Sequence, residues 1–249
     1  MKFLLSTLFL LFSIANFAQI VNIENKRLSA DADGFSGGLG LNVNLSVNTN
    51  TLIQIGGKLH VVYNKKRHSI LLLGDQNLIK SDDESFINNG FEHLRYNYHI
   101  KDSSRFIYEA YQQIQFNKIQ EINLRFLLGT GFRFNIIDRE KFQLNIGTGL
   151  MAEYEELLVG VGTNDLLSAN YLSFDGQFSE NVGINTITYF QPKITNYGTY
   201  RLANETSIRF QISKNLSFRV IYSLTHDSRD REGIRKTNYV LKNALNFTF

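Results

Sequence analysis

Cysteine is absent, and a single proline, Pro192, occurs in 249 residues. Without cysteine there is no disulfide, no CxxC redox pair and no thiolate metal site. With almost no proline there is little to interrupt a strand, because proline cannot donate to a ladder and is confined to strand edges, ends and bulges. A dominant charge is lacking too. Net charge is +3, from 26 basic and 23 acidic residues, too mild and too spread out for nucleic-acid binding. No segment approaches 18 consecutive apolar residues, which excludes a transmembrane helix of roughly 20.

Aromatics and glycine fill the gap: 20 phenylalanines, 12 tyrosines and 18 glycines. Hydrophobic residues make up 43% and charged residues 20%, too apolar for a disordered chain and too polar for a helical membrane protein. At the N-terminus Lys2 precedes an apolar run from Phe3 to Ile14, broken only by Ser6 and Ser13, and Ala18-Gln19 offers a cleavage point. A basic start, a short apolar core and a small residue before the cut describe a secretory signal peptide. The expected organisation is a signal peptide over residues 1–18, a periplasmic N-terminal segment over 19–33 and an outer-membrane β-barrel over 34–249.

The barrel follows from period-two alternation. Leu39, Leu41, Val43, Leu45 and Val47 alternate with Gly38, Gly40, Asn42, Asn44 and Ser46. Leu124, Phe126, Leu128, Phe132 and Phe134 oppose Arg125, Gly129, Gly131, Arg133 and Asn135. Tyr239, Leu241, Leu245 and Phe247 oppose Val240, Lys242, Ala244 and Asn246. Repeated alternation over about ten residues is a strand signature and not a helical one. It predicts an all-β, 12-stranded antiparallel transmembrane up-and-down barrel, with strands at 35–47, 51–63, 69–79, 88–100, 105–117, 122–136, 141–155, 169–178, 182–191, 200–212, 216–225 and 237–249.

Short turns are expected at Lys101–Ser104, Asp138–Glu140, Ser179–Asn181 and Ser213–Asn215. Longer connections are expected at Lys80–Ile87, Glu156–Ser168, Pro192–Thr199 and His226–Lys236. Short and long connections read as alternating from the fourth strand onward. An outer-membrane barrel has short periplasmic turns, long outer loops and an even strand count, which puts both termini in the periplasm of a Gram-negative bacterium. A soluble sandwich or small barrel fits less well, since a closed barrel of about eight strands already fills its interior. Two aromatic belts are predicted. Tyr63, Tyr98, Phe106, Phe142, Phe178, Phe210, Phe218 and Phe249 form one; Phe91, Phe116, Tyr154, Tyr200, Tyr222 and Tyr239 form the other.

With apolar faces toward lipid, the polar faces line the lumen. Lys58, Arg95, Arg125, Arg133, Arg201, Arg209, Arg219 and Lys242 then face Asp75, Glu109, Glu153, Glu155, Asp175 and Glu205, and this balance favours internal pairing. Folding at the turns places Arg95 beside Glu109 or one step from it, and Arg125 opposite Glu153 or Glu155. The candidates for lumen lining or constriction are Arg95, Glu109, Arg125, Arg133, Glu153, Glu155, Glu205, Arg209 and Arg219. They read either as a constriction that sorts solutes or as a salt-bridged plug. The inward glycine pairs Gly38/Gly40, Gly129/Gly131 and Gly147/Gly149 read as strand curvature, a widened channel or a seat for a folded-in loop.

Chemistry for an enzyme is thin. His60, His93 and His99 point inward by parity, and His68 and His226 fall in connections, so no histidine is expected on the lipid face. No GxSxG elbow or HExxH helix occurs. No catalytic residue, cofactor or metal is expected. Asp82-Asp83-Glu84 reads as a solvated acidic loop. Arg229, Arg231, Arg235 and Lys236 read as outer-loop charges that either stay solvated or meet lipopolysaccharide phosphates.

The segments Asn88–Ile100 (NNGFEHLRYNYHI), Leu124–Asp138 (LRFLLGTGFRFNIID), Met151–Leu157 (MAEYEEL) and Thr188–Leu202 (TYFQPKITNYGTYRL) resemble the YdiY-like family. Its members are described as salt-induced outer-membrane proteins with a domain of unknown function. The likeness spans about Gly34 to Phe249. It implies an outer-membrane barrel tied to osmotic or salt conditions and carries over no catalytic set. The Phe-Ala-Gln signal end and the Asn/Ile/Lys-rich composition resemble those of the Bacteroidetes. Expected partners are outer-membrane lipid and lipopolysaccharide, and the outer-membrane insertion machinery through the last strand ending at Phe249. Three readings stand: a narrow channel or envelope component, a closed structural or partner-binding barrel acting through its loops, and a lipid- or lipopolysaccharide-modifying enzyme.

Overall fold

A computed structural model describes residues 33–47, 51–81, 84–101, 105–230 and 235–247. The expected signal peptide, residues 19–32, Asp82, Asp83, Arg231 and Phe249 lie outside them. The strands are β1 (Gly34–Val47), β2 (Thr51–Lys65), β3 (His68–Ser81), β4 (Glu84–His99), β5 (Phe106–Asn117), β6 (Ile122–Arg139), β7 (Phe142–Leu157), β8 (Gly162–Gln177), β9 (Val182–Lys193), β10 (Asn196–Gln211), β11 (Leu216–Asp227) and β12 (Thr237–Phe247). They form one antiparallel sheet in chain order, β1 to β12, the up-and-down topology expected. Contacts between strands three apart, such as Tyr171 of β8 with Glu109 of β5, show that the sheet curls back on itself.

Burial follows the alternation. On β6, Arg125 and Leu127 are buried, while Leu128 is 56% exposed. On β7, Met151, Glu153 and Glu155 are buried, while Leu150 is 51% exposed. In a soluble protein the apolar set would be the covered one; here it faces outward, as in a transmembrane barrel. Polar residues on the outward face bond to one another: Thr148 Oγ1 donates to Asn170 (2.8 Å), and Thr186 and Thr206 hydroxyls lie 2.8 Å apart.

Outward rings pair along the end that holds the start of β1 and the end of β12. Phe35 meets Tyr63 (4.5 Å), Phe106 meets Phe134 (4.7 Å), Phe142 meets Phe178 (5.7 Å) and Phe210 meets Phe218 (6.4 Å). One expected belt member is elsewhere. Phe91 is the register partner of Asp75 and packs inside against Val62, Leu71 and Leu73.

Four further expectations are corrected. The connections do not alternate between short and long, because Lys118–Glu121 between β5 and β6 is a four-residue turn and Ile194–Thr195 joins β9 to β10. β8 begins at Gly162 and β10 at Asn196, so segments rich in Asn, Asp and Gly that read as loops are strands. The reason is cross-strand pairing that composition does not show: inward Asp165 of β8 meets Lys193 Nζ of β9 at 2.8 Å. Pro192 is no loop opener; it sits where the β8–β9 ladder is interrupted, beside a register shift between β9 and β10, where its missing donor is tolerated. Finally, His68 and His226 lie on strands and face outward. His68 lies 2.7 Å from the Tyr96 hydroxyl, and His226 lies 2.8 Å from Thr237 Oγ1 with its ring against Tyr200.

The outward assignment is testable by charge. Leu150→Lys, mid-strand on the outward face, is expected to cost ~2–4 kcal/mol of folding stability in lipid vesicles. Asn42→Lys, on the inward face of β1, is expected to cost under about 1 kcal/mol by the same denaturant titration.

Candidate functional site

β6 begins, β7 ends, β10 begins and β11 ends at the far side of the sheet, remote from the start of β1 and the end of β12. Parity turns Arg125, Glu153, Glu155, Arg201 and Asp227 inward there. Register makes Arg125 the partner of Glu155 and Arg201 the partner of Asp227. The six charges of one cluster meet at this point. Arg125 contacts Glu153 (3.3 Å) and Glu155 (2.9 Å). Arg201 Nη2 donates to Glu153 Oε1 (2.7 Å) and Glu155 Oε2 (3.2 Å), Nη1 donates to Glu153 Oε2, and Nε donates to Asp227 (3.2 Å). Arg229 closes the cluster from beyond β11, with Nη2 2.6 Å from Asp227 and Nη1 3.1 Å from Glu155.

Three guanidinium groups and three carboxylates therefore balance. Balance is required, because an unpaired ion this deeply buried costs several kcal/mol. Burial works against the Arg229 charge, but its bonds to Asp227 and the field of Glu155 outweigh burial and the opposing Arg201, and they hold the guanidinium above its ordinary pKa. Arg229 read as a loop charge available to phosphates; its inward turn removes it from that role.

A second group lies deeper. Glu109 accepts from the Tyr171 hydroxyl (2.8 Å) and lies 3.6 Å from Arg95 and 3.9 Å from Arg133. Arg95 is the register partner of Tyr111 and lies over its ring at 5.5 Å. Between the two ionic groups lies an apolar layer in which Leu127, Met151 and Leu167 pack together, with Ile187, Tyr189 and Ala203 beside them, flanked by buried His93, Gln113 and Gln115, which hydrogen-bond in a chain. The space left among these layers is about 50 Å³, room for a few waters.

The glycine pairs on β6 and β7 make this packing possible. The Tyr111 ring occupies the place a Cβ on Gly129 would take, and the Tyr171 ring occupies that of Gly147. Gly131 and Gly149 are register partners whose Cβ atoms would strike the opposing backbone. The patch is a seat for two tyrosines, neither a widened channel nor a dock for a loop.

Three of the nine candidates stand apart. Glu205 accepts from Ser223 (3.4 Å), Arg209 donates to Gln177 (2.8 Å), and Arg219 is exposed. Glu205 and Arg209 lie on β10 away from the cluster, and Arg219 lies on the neighbouring β11. The inward residues Gly38, Gly40, Asn42 and Asn44 of β1, Lys58 of β2, Arg219 of β11 and Lys242 of β12 are all exposed. The interior is packed against β3 to β10 and bare at these positions of β11, β12, β1 and β2, although Val62, Ser223 and Val240 on the same strands are buried.

Removing one partner should be far worse than removing two. Arg201→Met is expected to lower stability by ~3–5 kcal/mol, because Glu153 and Glu155 lose one of the guanidinium groups they share and the buried cluster is left with excess negative charge. Arg201→Met/Glu153→Met, which restores the charge balance, should recover most of that loss in the same urea titration.

Comparison with solved structures finds outer-membrane and channel proteins. The NanC porin aligns with 84% of this chain and 100% of its own, at 10% identity and a TM-score of 0.48. The translocator domain of the autotransporter NalP from Neisseria meningitidis aligns with 89% of this chain and 91% of its own, at 10% identity and 0.41. The TodX monoaromatic hydrocarbon channel aligns with 87% of this chain and 82% of its own, at 9% identity and 0.42. No curated protein matches. The model of one family matches residues 38–249, nearly all of the strand region, and the chain belongs to that family, described as "Protein of unknown function, DUF481".

Proposed function

We propose that the protein is an outer-membrane channel of narrow bore, with its start of β1 and end of β12 toward the periplasm, its lumen half-filled by ion pairs and tyrosines. The observation that carries this reading is the unequal interior. Met151 and His93 are each 1% exposed, whereas Gly38, Gly40, Asn42 and Asn44 of β1, Lys58 of β2, Arg219 of β11 and Lys242 of β12 stand in solvent. A fully plugged barrel has no use for a bare wall lined with Gly38, Gly40 and Asn42. The buried layers narrow the passage and stiffen the packed side; solutes pass along the bare one. Lipid and lipopolysaccharide surround the outward face and the far rim, and a link to salt conditions remains the family-level expectation. No residue is assigned a catalytic role.

A closed barrel acting through its loops is the second reading, favoured by the apolar layer of Leu127, Met151 and Leu167. Single-channel recording of the refolded full chain in a planar bilayer separates the two. The channel reading expects small discrete steps, reduced at least twofold by Gly40→Trp, since a Cβ at Gly40 meets only Lys58 Cβ, 4.0 Å away. A silent bilayer from protein with heat-modifiable barrel migration, or steps indifferent to Gly40→Trp, would overturn it.

A further inference from the structure

Arg209 of β10 and Arg219 of β11 are direct register partners. Lys242 of β12 pairs with Ile221, one diagonal step from Arg219 on the same inward face. Three cations thus share one small patch of wall. Like charges directly opposite each other destabilise a ladder, so such a patch is normally broken up or neutralised. Here it is not. The Arg209 guanidinium has neutral partners, Gln177 at 2.8 Å and Gln211 at 3.5 Å. Among the described residues no carboxylate lies within ion-pair distance of any of the three. Two acids that face the same interior are engaged elsewhere: Glu205 accepts from Ser223 and Asp175 accepts from Asn185 at 3.0 Å. On the other flank of Arg209 its register partner is Gly183, which has no side chain to crowd the guanidinium.

We propose that Arg209, Arg219 and Lys242 form an oxyanion-binding site on the lumen wall, for the carboxylate or phosphate group of a water-soluble solute. Two guanidinium forks suit a planar or tetrahedral oxyanion, and the lysine adds a mobile point charge. The two glutamines hold Arg209 in place without cancelling its charge. A bound oxyanion converts the repulsion between register partners into shared attraction, which gives the opposed arginines a purpose. The site lies at the end that carries the start of β1, the end of β12 and the β10–β11 turn, the periplasmic mouth in the proposed orientation. It rests on the channel reading for its supply of solute, but the two fail separately.

The test uses folded full-length protein in detergent, titrated calorimetrically with inorganic phosphate and with succinate in an anion-poor buffer. Saturable binding is expected, weakened at least tenfold by Arg219→Gln and by Arg209→Gln. Lys214→Gln, a charge removed from the neighbouring turn, should leave it unchanged. Phosphate binding without succinate binding would narrow the ligand to phosphates, and the reverse to carboxylates; either retains the site. Absence of binding to both, or equal loss in Lys214→Gln, overturns it. Heat stability gives a second readout. Without anion, Arg219→Gln should melt higher than wild type, since it relieves the repulsion, and it should lose the rise that phosphate gives wild type. A lower melting temperature for Arg219→Gln would make the arginine a structural residue and overturn the proposal. Saturable binding by a protein silent in bilayers would keep the site and remove the channel; conductance steps without binding would do the opposite.

Discussion

The bond from Arg201 on β10 to Glu153 on β7 spans two intervening strands. It can form only if the sheet curls tightly on that side, and once formed it holds the curl. The rest of the packed interior depends on it. Arg125 shares its carboxylates, Asp227 and Arg229 complete its charge balance, and the apolar layer beneath is sealed from the far end by it. Each ion on its own would be expelled from so dry a place. Six together are mutually satisfied, so the cluster is a feature of all or none.

Beneath the cluster, glycine and tyrosine solve a packing problem. Twelve strands enclose more width than two layers of ordinary side chains fill. Gly129 and Gly147 let the Tyr111 and Tyr171 rings lie flat against the wall, and the Tyr171 hydroxyl then reaches Glu109 across the lumen. The packed half is therefore rigid and well bonded. The other half, from β11 through β2, carries exposed Gly38, Gly40, Asn42, Lys58, Arg219 and Lys242 on the same inward face, beside the buried Val62, Ser223 and Val240. One sheet carries a filled wall and a wet one, and this division is the basis for reading a passage.

Much of this was legible in the sequence. Period two fixed which residues face inward, and every inward charge named from parity lies on that face. Turn positions placed Arg125 near Glu153 and Glu155, and Arg95 one step from Glu109. What escaped has a common cause. Arg201 reads as an inward charge but not as the centre of a cluster, and Asp227 and Arg229 lie at the end of β11 or beyond it, in a stretch that reads as loop. Their partners come from strands distant in the chain, and one sequence gives no sign of contacts across a lumen. The same holds for Asp165 with Lys193, which turns an apparent loop into the first residues of β8. Leu71, Leu73 and Leu127 escaped for another reason: they are apolar residues on a face expected to be polar, and alternation alone does not separate a dry interior from a wet one. Phe91 was misplaced in a belt because β4 begins at Glu84, which puts Phe91 mid-strand, and because its parity turns it inward.

The absence of cysteine makes the division between the two walls directly measurable. Single cysteines at Met151 and Ser173 on the packed side, and at Asn42 and Lys242 on the bare side, would be challenged with a water-soluble, membrane-impermeant maleimide in folded protein reconstituted in vesicles. Rapid labelling of Asn42→Cys and Lys242→Cys, with Met151→Cys and Ser173→Cys reacting only after unfolding, is the expected result. Equal protection at all four positions would mean a lumen sealed throughout, and equal reactivity would mean that the ion cluster closes nothing.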